Sequence, residues 1–375
     1  MKYKLLKDVC NINMGQSPDS NSYNENGDGV PFFQGNADFG ERYPVVKKWC
    51  NAPTKMAAPE DILISVRAPI GAVNYAKEDC CIGRGLAAIT PDKTKVSPEF
   101  IFWLLRGKKD ELNDKGTGST FKAIGRTVLE EILIPDIEIE KQIESATILE
   151  KTYSVMQAKH QEISKLDNLV KARFVEMFGT ETEFDKWPCC TIGDVANVCV
   201  GVVIKPTQYY TDKGIPAFRS LNIGEMHVKD SDWVYFTEEG HQKNQKSVVH
   251  KNDVLVVRSG APGTACVATE KYDGYNAVDI IIAHPDNSKV NSIFLAAFTN
   301  MPHGMNQIRE RTGGAAQQHF NVGGYKAMRL IIPSIELQNQ FAAFVEQVDK
   351  SKAAVQMSLD KLQVLFDKLM QEYFG

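Results

Sequence analysis

The chain has 375 residues, 43% hydrophobic and 24% charged, which excludes a disordered polymer and predicts two or three domains at roughly 100–200 residues each. No window approaches ~18 uninterrupted apolar residues, and the opening Met1–Gly15 carries no apolar run suited to a secretory signal. The reading is therefore cytoplasmic, with no membrane partner. A net charge of −4 and a pI near 6.0 argue against nucleic acid as a partner, because neutralising phosphates leaves a basic footprint.

In chain order, Asp8-Val9 is followed by Gly15, then by the apolar run Gly29-Val-Pro-Phe-Phe. Glu60-Asp-Ile-Leu-Ile-Ser-Val-Arg-Ala-Pro reads as a strand after a turn. Ser97 caps a helix with Pro98 at its first turn and Phe100-Ile-Phe-Trp-Leu-Leu behind. A glycine-rich loop, Gly116-Thr-Gly-Ser-Thr, leads to a short strand ending in Ile134-Pro135, with Gln142 beyond. Apolar residues then recur every seventh position: Leu149, Met156, Ile163, Val170 and Met177. This stretch lacks proline, closes on Phe178-Gly179, and predicts one long helix with a coiled-coil seam.

The same series then starts again. Asp194-Val195 is followed by Gly201, then Gly214-Ile-Pro-Ala-Phe and Asn252-Asp-Val-Leu-Val-Val-Arg-Ser-Gly-Ala-Pro. A helix begins at Asn291 or Ser292, Gly313-Gly-Ala-Ala-Gln-Gln follows, and Ile332-Pro333 precedes Gln340. A second heptad series runs Phe341, Val348, Val355, Leu362, Leu369, and the chain closes on Phe374-Gly375. The offsets drift only between 185 and 198. The chain is a tandem duplication, divided as 1–135 (first head), 136–180 (helix), 181–333 (second head) and 334–375 (helix). The fold class is α+β: two similar mixed heads joined by two long helices that pair antiparallel about a pseudo-twofold axis.

The eight cysteines form no Cys-x-x-Cys pair, and the seven histidines show no metal spacing, so no metal site is expected. The cysteines read as small buried residues in a reducing cytosol. No P-loop, Gly-x-Gly-x-x-Gly, Gly-x-Ser-x-Gly or Asn-Pro-Pro-Tyr/Phe tetrapeptide occurs, which leaves no catalytic set.

The order of head, Ile134-Pro-Asp-Ile-Glu-Ile-Glu-Lys-Gln142 and long helix, repeated with Ile332-Pro-Ser-Ile-Glu-Leu-Gln-Asn-Gln340, resembles the specificity subunit of type I restriction-modification enzymes over essentially the whole chain. The resemblance implies a non-catalytic, DNA-binding subunit of a host-defence system. Each head would be a target recognition domain reading half of a bipartite, asymmetric site in double-stranded DNA, and the helices would set the gap. Two methyltransferase subunits would dock on it, and restriction (nuclease-translocase) subunits join in some complexes. S-adenosylmethionine, ATP and Mg would belong to those partners, none to this chain. The charge objection then weakens: outside the two helical stretches, acidic and basic residues are equal at 33 each. The competing readings are a two-headed protein-interaction scaffold without DNA contact and a stand-alone enzyme.

Direct readout needs two-pronged donors and acceptors on exposed loops. In the first head the candidates are Gln34, Asn36, Arg67, Arg84, Lys115, Ser119, Thr120 and Lys122. In the second they are Arg219, Asn222, Arg258, Ser259, Arg311, Gln317, Gln318, His319 and Asn321. Gln34 is matched with Arg219, and Thr120 with Gln318. Lys115, Lys122 and Arg311 suit phosphate better than bases. Trp49, Tyr75, Trp233 and Tyr235 read as core or hairpin residues rather than as platforms for a flipped base.

Overall fold

The structure, a computed structural model, describes residues 2–118, 122–312 and 319–375. The candidate readers Ser119, Thr120, Gln317 and Gln318 lie outside the described residues. The chain forms two compact units: Met1–His160 with Met357–Gly375, and Gln161–Gln356.

In the first unit an antiparallel sheet runs in the order Cys10–Met14, Leu86–Pro91, Ile62–Ser65, Val73–Tyr75. A second sheet of five short strands includes Val30–Phe33 paired parallel with Cys80–Ile82. Tyr3–Leu5 pairs with Leu133–Pro135 and closes the head. The second unit repeats this topology. Its main sheet runs Ala196–Val200, Ile280–Pro285, Val254–Val257, Ala265–Val267. Ile215–Phe218 pairs parallel with Asn276–Ala277, and Cys189–Thr191 pairs with Arg329–Ile331.

The recurrent residues hold the same turns in both copies. Asp8 and Asp194 each accept a hydrogen bond from the backbone three residues upstream, Leu5 N at 3.2 Å and Thr191 N at 2.8 Å. Gly15 and Gly201 lie where a Cβ would strike backbone, Gly83 O at 2.3 Å and Ala277 C at 2.5 Å. Glu60 and Asn252 both take positive φ, 70° and 69°. Each precedes a buried aspartate, Asp61 or Asp253, whose carboxylate accepts from the turn backbone at Ala58 or His250.

The capped helices occur as expected, Pro98–Gly107 behind Ser97 and Ser292–Asn300 behind Asn291. The second head also has an eleven-residue helix, Pro302–Thr312, that its sequence hides. Its residues are largely polar and include Gly304, so neither propensity nor periodicity announces it. Gly304 is required there by packing, since a Cβ would lie 2.6 Å from Thr299 O.

The long helices are Ile139–Phe178 and Ile335–Phe374. In the first unit the beginning of one meets the end of the other: Leu149 and Tyr153 pack with Phe366, Leu369 and Phe374. In the second unit the end of the first meets the beginning of the second: Val170, Phe174 and Phe178 pack with Phe341, Val345 and Val348, and Lys352 pairs with Asp167 at 2.7 Å. Both pairings are antiparallel. Of the expected seam, Leu149, Met156, Val170, Phe341, Val348 and Val355 are buried. Ile163, Met177, Leu362 and Leu369 are only half-buried, and Leu359, outside the expected seam, is buried.

The short capped helix of each head wedges between the two long-helix segments of its unit. Phe100 lies 4.9 Å from Phe374, and Trp103 lies 5.4 Å from Tyr153 and 5.6 Å from Phe366. Phe294 lies 4.9 Å from Phe178 and 5.8 Å from Phe174. Buried aromatics in such clusters contribute both area and ring geometry, so truncating one costs about 3–5 kcal/mol.

A buried glutamine completes each junction. Gln142 Oε1 accepts from Ser97 N at 3.0 Å, and its Nε2 donates to Ile137 O at 2.9 Å. Gln338 Oε1 accepts from Asn291 N at 2.9 Å, and its Nε2 donates to Pro333 O at 2.9 Å. This corrects the sequence match of Gln142 with Gln340. Strand pairing places Tyr3 opposite Pro135 and Cys189 opposite Ile331, so the structural repeat here runs two residues out of step with the Ile-Pro match. Gln340 is exposed. Replacing Gln338 by alanine strands a buried N–H and should cost about 1–3 kcal/mol. Gln340→Ala should stay within about 0.5 kcal/mol. Denaturant unfolding of both variants checks the contrast.

Candidate nucleic-acid interface

In the first head, four separate segments bring Gln34, Arg84, Arg67 and Lys122 onto one hydrogen-bonded frame. Gln34 Nε2 donates to Ser17 Oγ at 2.9 Å, and Arg84 N donates to the same oxygen at 3.3 Å. Gly85 N donates to Gln34 O at 3.2 Å, and Val66 N donates to Gly85 O at 2.9 Å. Arg67 bridges Ala123, and Ala68 N donates to Lys122 O at 3.0 Å. Gly83 and Gly85 flank Arg84 because a Cβ at either would come within 3 Å of Gln34. All four side chains are exposed. The heads of Arg67, Arg84 and Lys122 have no acidic partner among the described residues. Asn36 is half-buried and opens the 3₁₀ turn Asn36–Asp38 beside Gln34. Lys115 is drawn aside by Glu111, at 2.7 Å.

The second head gathers its candidates too, but commits most of them internally. Asn222 is fully buried: its Oδ1 accepts from Arg219 N at 2.9 Å, and its Nδ2 donates to Ser231 O at 2.7 Å. It holds a turn and offers nothing to a ligand, which corrects its place among the readers. Arg219 donates through Nη2 to Asp232 O. Arg258 pairs with Asp279 at 2.5 Å and donates through Nε to Phe320 O at 3.1 Å, so it serves the framework as well. Ser259 Oγ and His319 Nδ1 are 2.7 Å apart. Asn321 Oδ1 caps the following helix by accepting from Gly324 N at 2.7 Å. Arg311 donates to Gln307 O at 2.8 Å and Ala327 O at 3.4 Å. Ser259, Arg311, His319 and Asn321 keep partly or fully exposed surface.

Backbone hydrogen bonds fix the correspondence between the two edges. Ile124 N donates to Val66 O as Phe320 N donates to Arg258 O, so Val66 is the counterpart of Arg258 and Arg67 that of Ser259. Successive strand residues face opposite ways; an arginine at the inward position needs Asp279, whereas Arg67 points out. Likewise Gly83 N donates to Phe33 O as Val278 N donates to Phe218 O, which matches Phe33 with Phe218. That register places Gln34 opposite Arg219, and each N–H bonds the side chain of the turn that follows, Gln34 N to Asp38 at 2.7 Å and Arg219 N to Asn222 at 2.9 Å.

Tyr75 is buried and stacks on Phe102 at 4.5 Å, with the Arg42 guanidinium over both rings and held by Glu150 at 2.6 Å. Trp233 meets Phe218 edge-on at 4.9 Å. Trp49 and Tyr235 lie in short paired strands.

The family described as "Type I restriction modification DNA specificity domain" matches residues 1–168 and again 185–362. The chain belongs to that family. A Methanocaldococcus jannaschii protein assigned as the type I restriction enzyme MjaX specificity subunit is 45% identical over 160 residues, 43% of this chain; the match spans only 38% of that relative's length. The Escherichia coli type I restriction enzyme EcoBI specificity subunit is 21% identical over 98% of this chain and 84% of its own. The crystal structure of the type I restriction-modification S subunit from M. genitalium shares the fold, with a TM-score of 0.61 and 15% identity over 100% of this chain and 96% of that one. As a specificity subunit of a type I restriction-modification system, the chain carries the family domain twice, once per head.

No group of three or more metal-ligating side chains occurs among the described residues, and no described helix is long and apolar enough to cross a membrane. One cluster escaped the sequence reading. Cys199, half-exposed rather than buried as expected, lies 3.6 Å from His284 Nε2, and His284 Nδ1 lies 2.7 Å from the buried Asp253 Oδ1. The hydrogen bond to the Asp253 carboxylate, with the Cys199 contact behind it, pushes the His284 imidazole up to about 10. The three residues lie between 31 and 85 positions apart pairwise, so no spacing pattern marks them.

The two classes of arginine separate by stability. Arg258→Ala leaves Asp279 without its cation and should destabilise the second head by about 1–3 kcal/mol. Arg84→Ala and Arg67→Ala, on open surface, should stay within about 0.5 kcal/mol. Thermal unfolding of the three variants reads the difference.

Proposed function

We propose that this specificity subunit reads a bipartite DNA site, one half per head, while the paired helices fix the gap between the halves. The observation that carries the reading is the repeated frame with unlike exposed side chains on it: Gln34, Arg67 and Arg84 in the first head stand where the second presents other groups. Two readers of different words need the same scaffold and different edges. The chain itself supplies recognition, not chemistry. Two methyltransferase subunits carrying S-adenosylmethionine dock on it in the cytoplasm, and restriction subunits bring ATP and Mg where they are present. The heads are neutral overall, so binding draws on local exposed cations such as Arg67, Arg84 and Lys122 and on the enclosing partners.

Two experiments test this. Adding one heptad to each long helix lengthens the pair by about 10 Å, or roughly three base pairs. The complex with methyltransferase subunits should then modify sites with a wider gap and unchanged half-sites, read by methylation sequencing; an unchanged gap refutes the spacing role. Separately, Arg84→Ala and Arg67→Ala should each weaken DNA binding by that complex by about 1–3 kcal/mol and alter one half-site only. Affinity indifferent to DNA sequence would instead favour a protein scaffold.

A further inference from the structure

The Cys199–His284–Asp253 cluster lies at the edge of the second head's main sheet, where among the described residues Ala196–Val200 pairs only with Ile280–Pro285. Its parts stand in the order of an activated nucleophile: thiol, imidazole, orienting carboxylate. Asp253 is buried and already accepts from His250 N at 2.6 Å through its other oxygen. That second bond fixes the carboxylate, which in turn fixes the ring and leaves Nε2 turned to the sulfur. His250 lies nearby, its ring 6.1 Å from that of His284 and its Nδ1 3.5 Å from Asp273, and Asp194, Asp286, Lys289 and Lys326 line the same cleft as His284.

Comparison with the first head shows that the fold does not require this arrangement. Strand register matches Cys199 with Asn13 and His284 with Thr90, and the shared turn matches Asp253 with Asp61. Asn13 donates to Met56 O at 2.7 Å, where Cys199 donates to Lys246 O at 3.2 Å. The first head thus keeps the aspartate and the strand-to-loop bond without a thiol or an imidazole. A thiol is a weaker donor than an amide, so cysteine is the poorer choice for that structural bond alone.

We propose that Cys199, His284 and Asp253 form an activated-thiol site that takes α,β-unsaturated carbonyl compounds covalently. The sulfur adds to the β-carbon of the alkene, forming the S–C bond as the π bond breaks. The thiol gives up its proton to water, and the thiolate is held beside the His284 imidazolium, whose Nε2–H supplies the proton that the α-carbon takes up and is replaced from solvent. Nothing is oxidised or reduced and nothing leaves. The Asp253 carboxylate keeps the His284 imidazole protonated at neutral pH, which suits it to stabilise the thiolate and to supply the proton. Cys199 is a modification site on the recognition subunit, distinct from the candidate reading surface and independent of what that surface binds.

The test uses the full folded chain and N-ethylmaleimide, with peptide-resolved mass spectrometry over time. N-acetylcysteine in the same solution serves as the reference thiol. Cys199 should react at least about tenfold faster than it. His284→Thr, which installs the residue the first head carries at this place, should bring Cys199 to within about twofold of the reference or below it. A Cys199 rate in the unaltered chain equal to that of the free thiol would overturn the proposal without any variant, and an unchanged Cys199 rate in a folded His284→Thr protein would overturn it as well.

Discussion

Each unit depends on one junction, where a head's capped helix is wedged between two antiparallel helix segments and a buried glutamine ties it down. The aromatic wedge supplies the energy. Phe100 and Trp103 in one unit, Phe294 in the other, bury large rings against Phe366, Phe374, Phe174 and Phe178. The glutamine supplies direction. Gln142 and Gln338 each satisfy the backbone N–H of a helix cap while donating to the chain entering the long helix. A hydrophobic wedge alone tolerates rotation and sliding, because burial has no direction. The amide fixes where the head sits on the helix, since a displaced head would leave a buried donor and acceptor unpaired.

This division between framework and edge explains how two copies diverge without losing the fold. The framework keeps Asp8 and Asp194, Gly15 and Gly201, Asp61 and Asp253, each holding a turn through backbone contacts that accept little change. The edges change freely. Where the first head places Val66, the second places Arg258 and adds Asp279 to neutralise it. Where the first offers outward Arg67, the second has Ser259 bonded to His319. The first head presents free cations; the second presents a surface whose polar groups already hold one another.

Much of this organisation is legible in the amino-acid order. The duplication shows because turn-holding aspartates and crowded glycines leave few substitutes, so they recur at nearly constant offsets. The helices show because a heptad seam survives in both copies. The Ile-Pro match misleads by two residues, since apolar strand ends accept many residues and the chance identity at Ile332-Pro333 outweighs the true counterparts, Leu330 and Ile331. Asn222 looks like a reader because an asparagine in a loop has the same donors whether they face water or a turn. Only the fold reveals that it is wholly buried.

The sequence by itself determined the duplicated plan, the long paired helices and the absence of familiar catalytic motifs, because these rest on local periodicity, on backbone-constrained positions and on residue order. The tertiary structure alone decided which polar side chains remain available. Whether an arginine is free, like Arg84, or spent, like Arg258, depends on a partner brought in from a distant strand. The meeting of Cys199 with His284 and Asp253 is of the same kind: neighbours across a sheet are set by strand pairing, and pairing between remote segments leaves no mark in the spacing of the residues it joins.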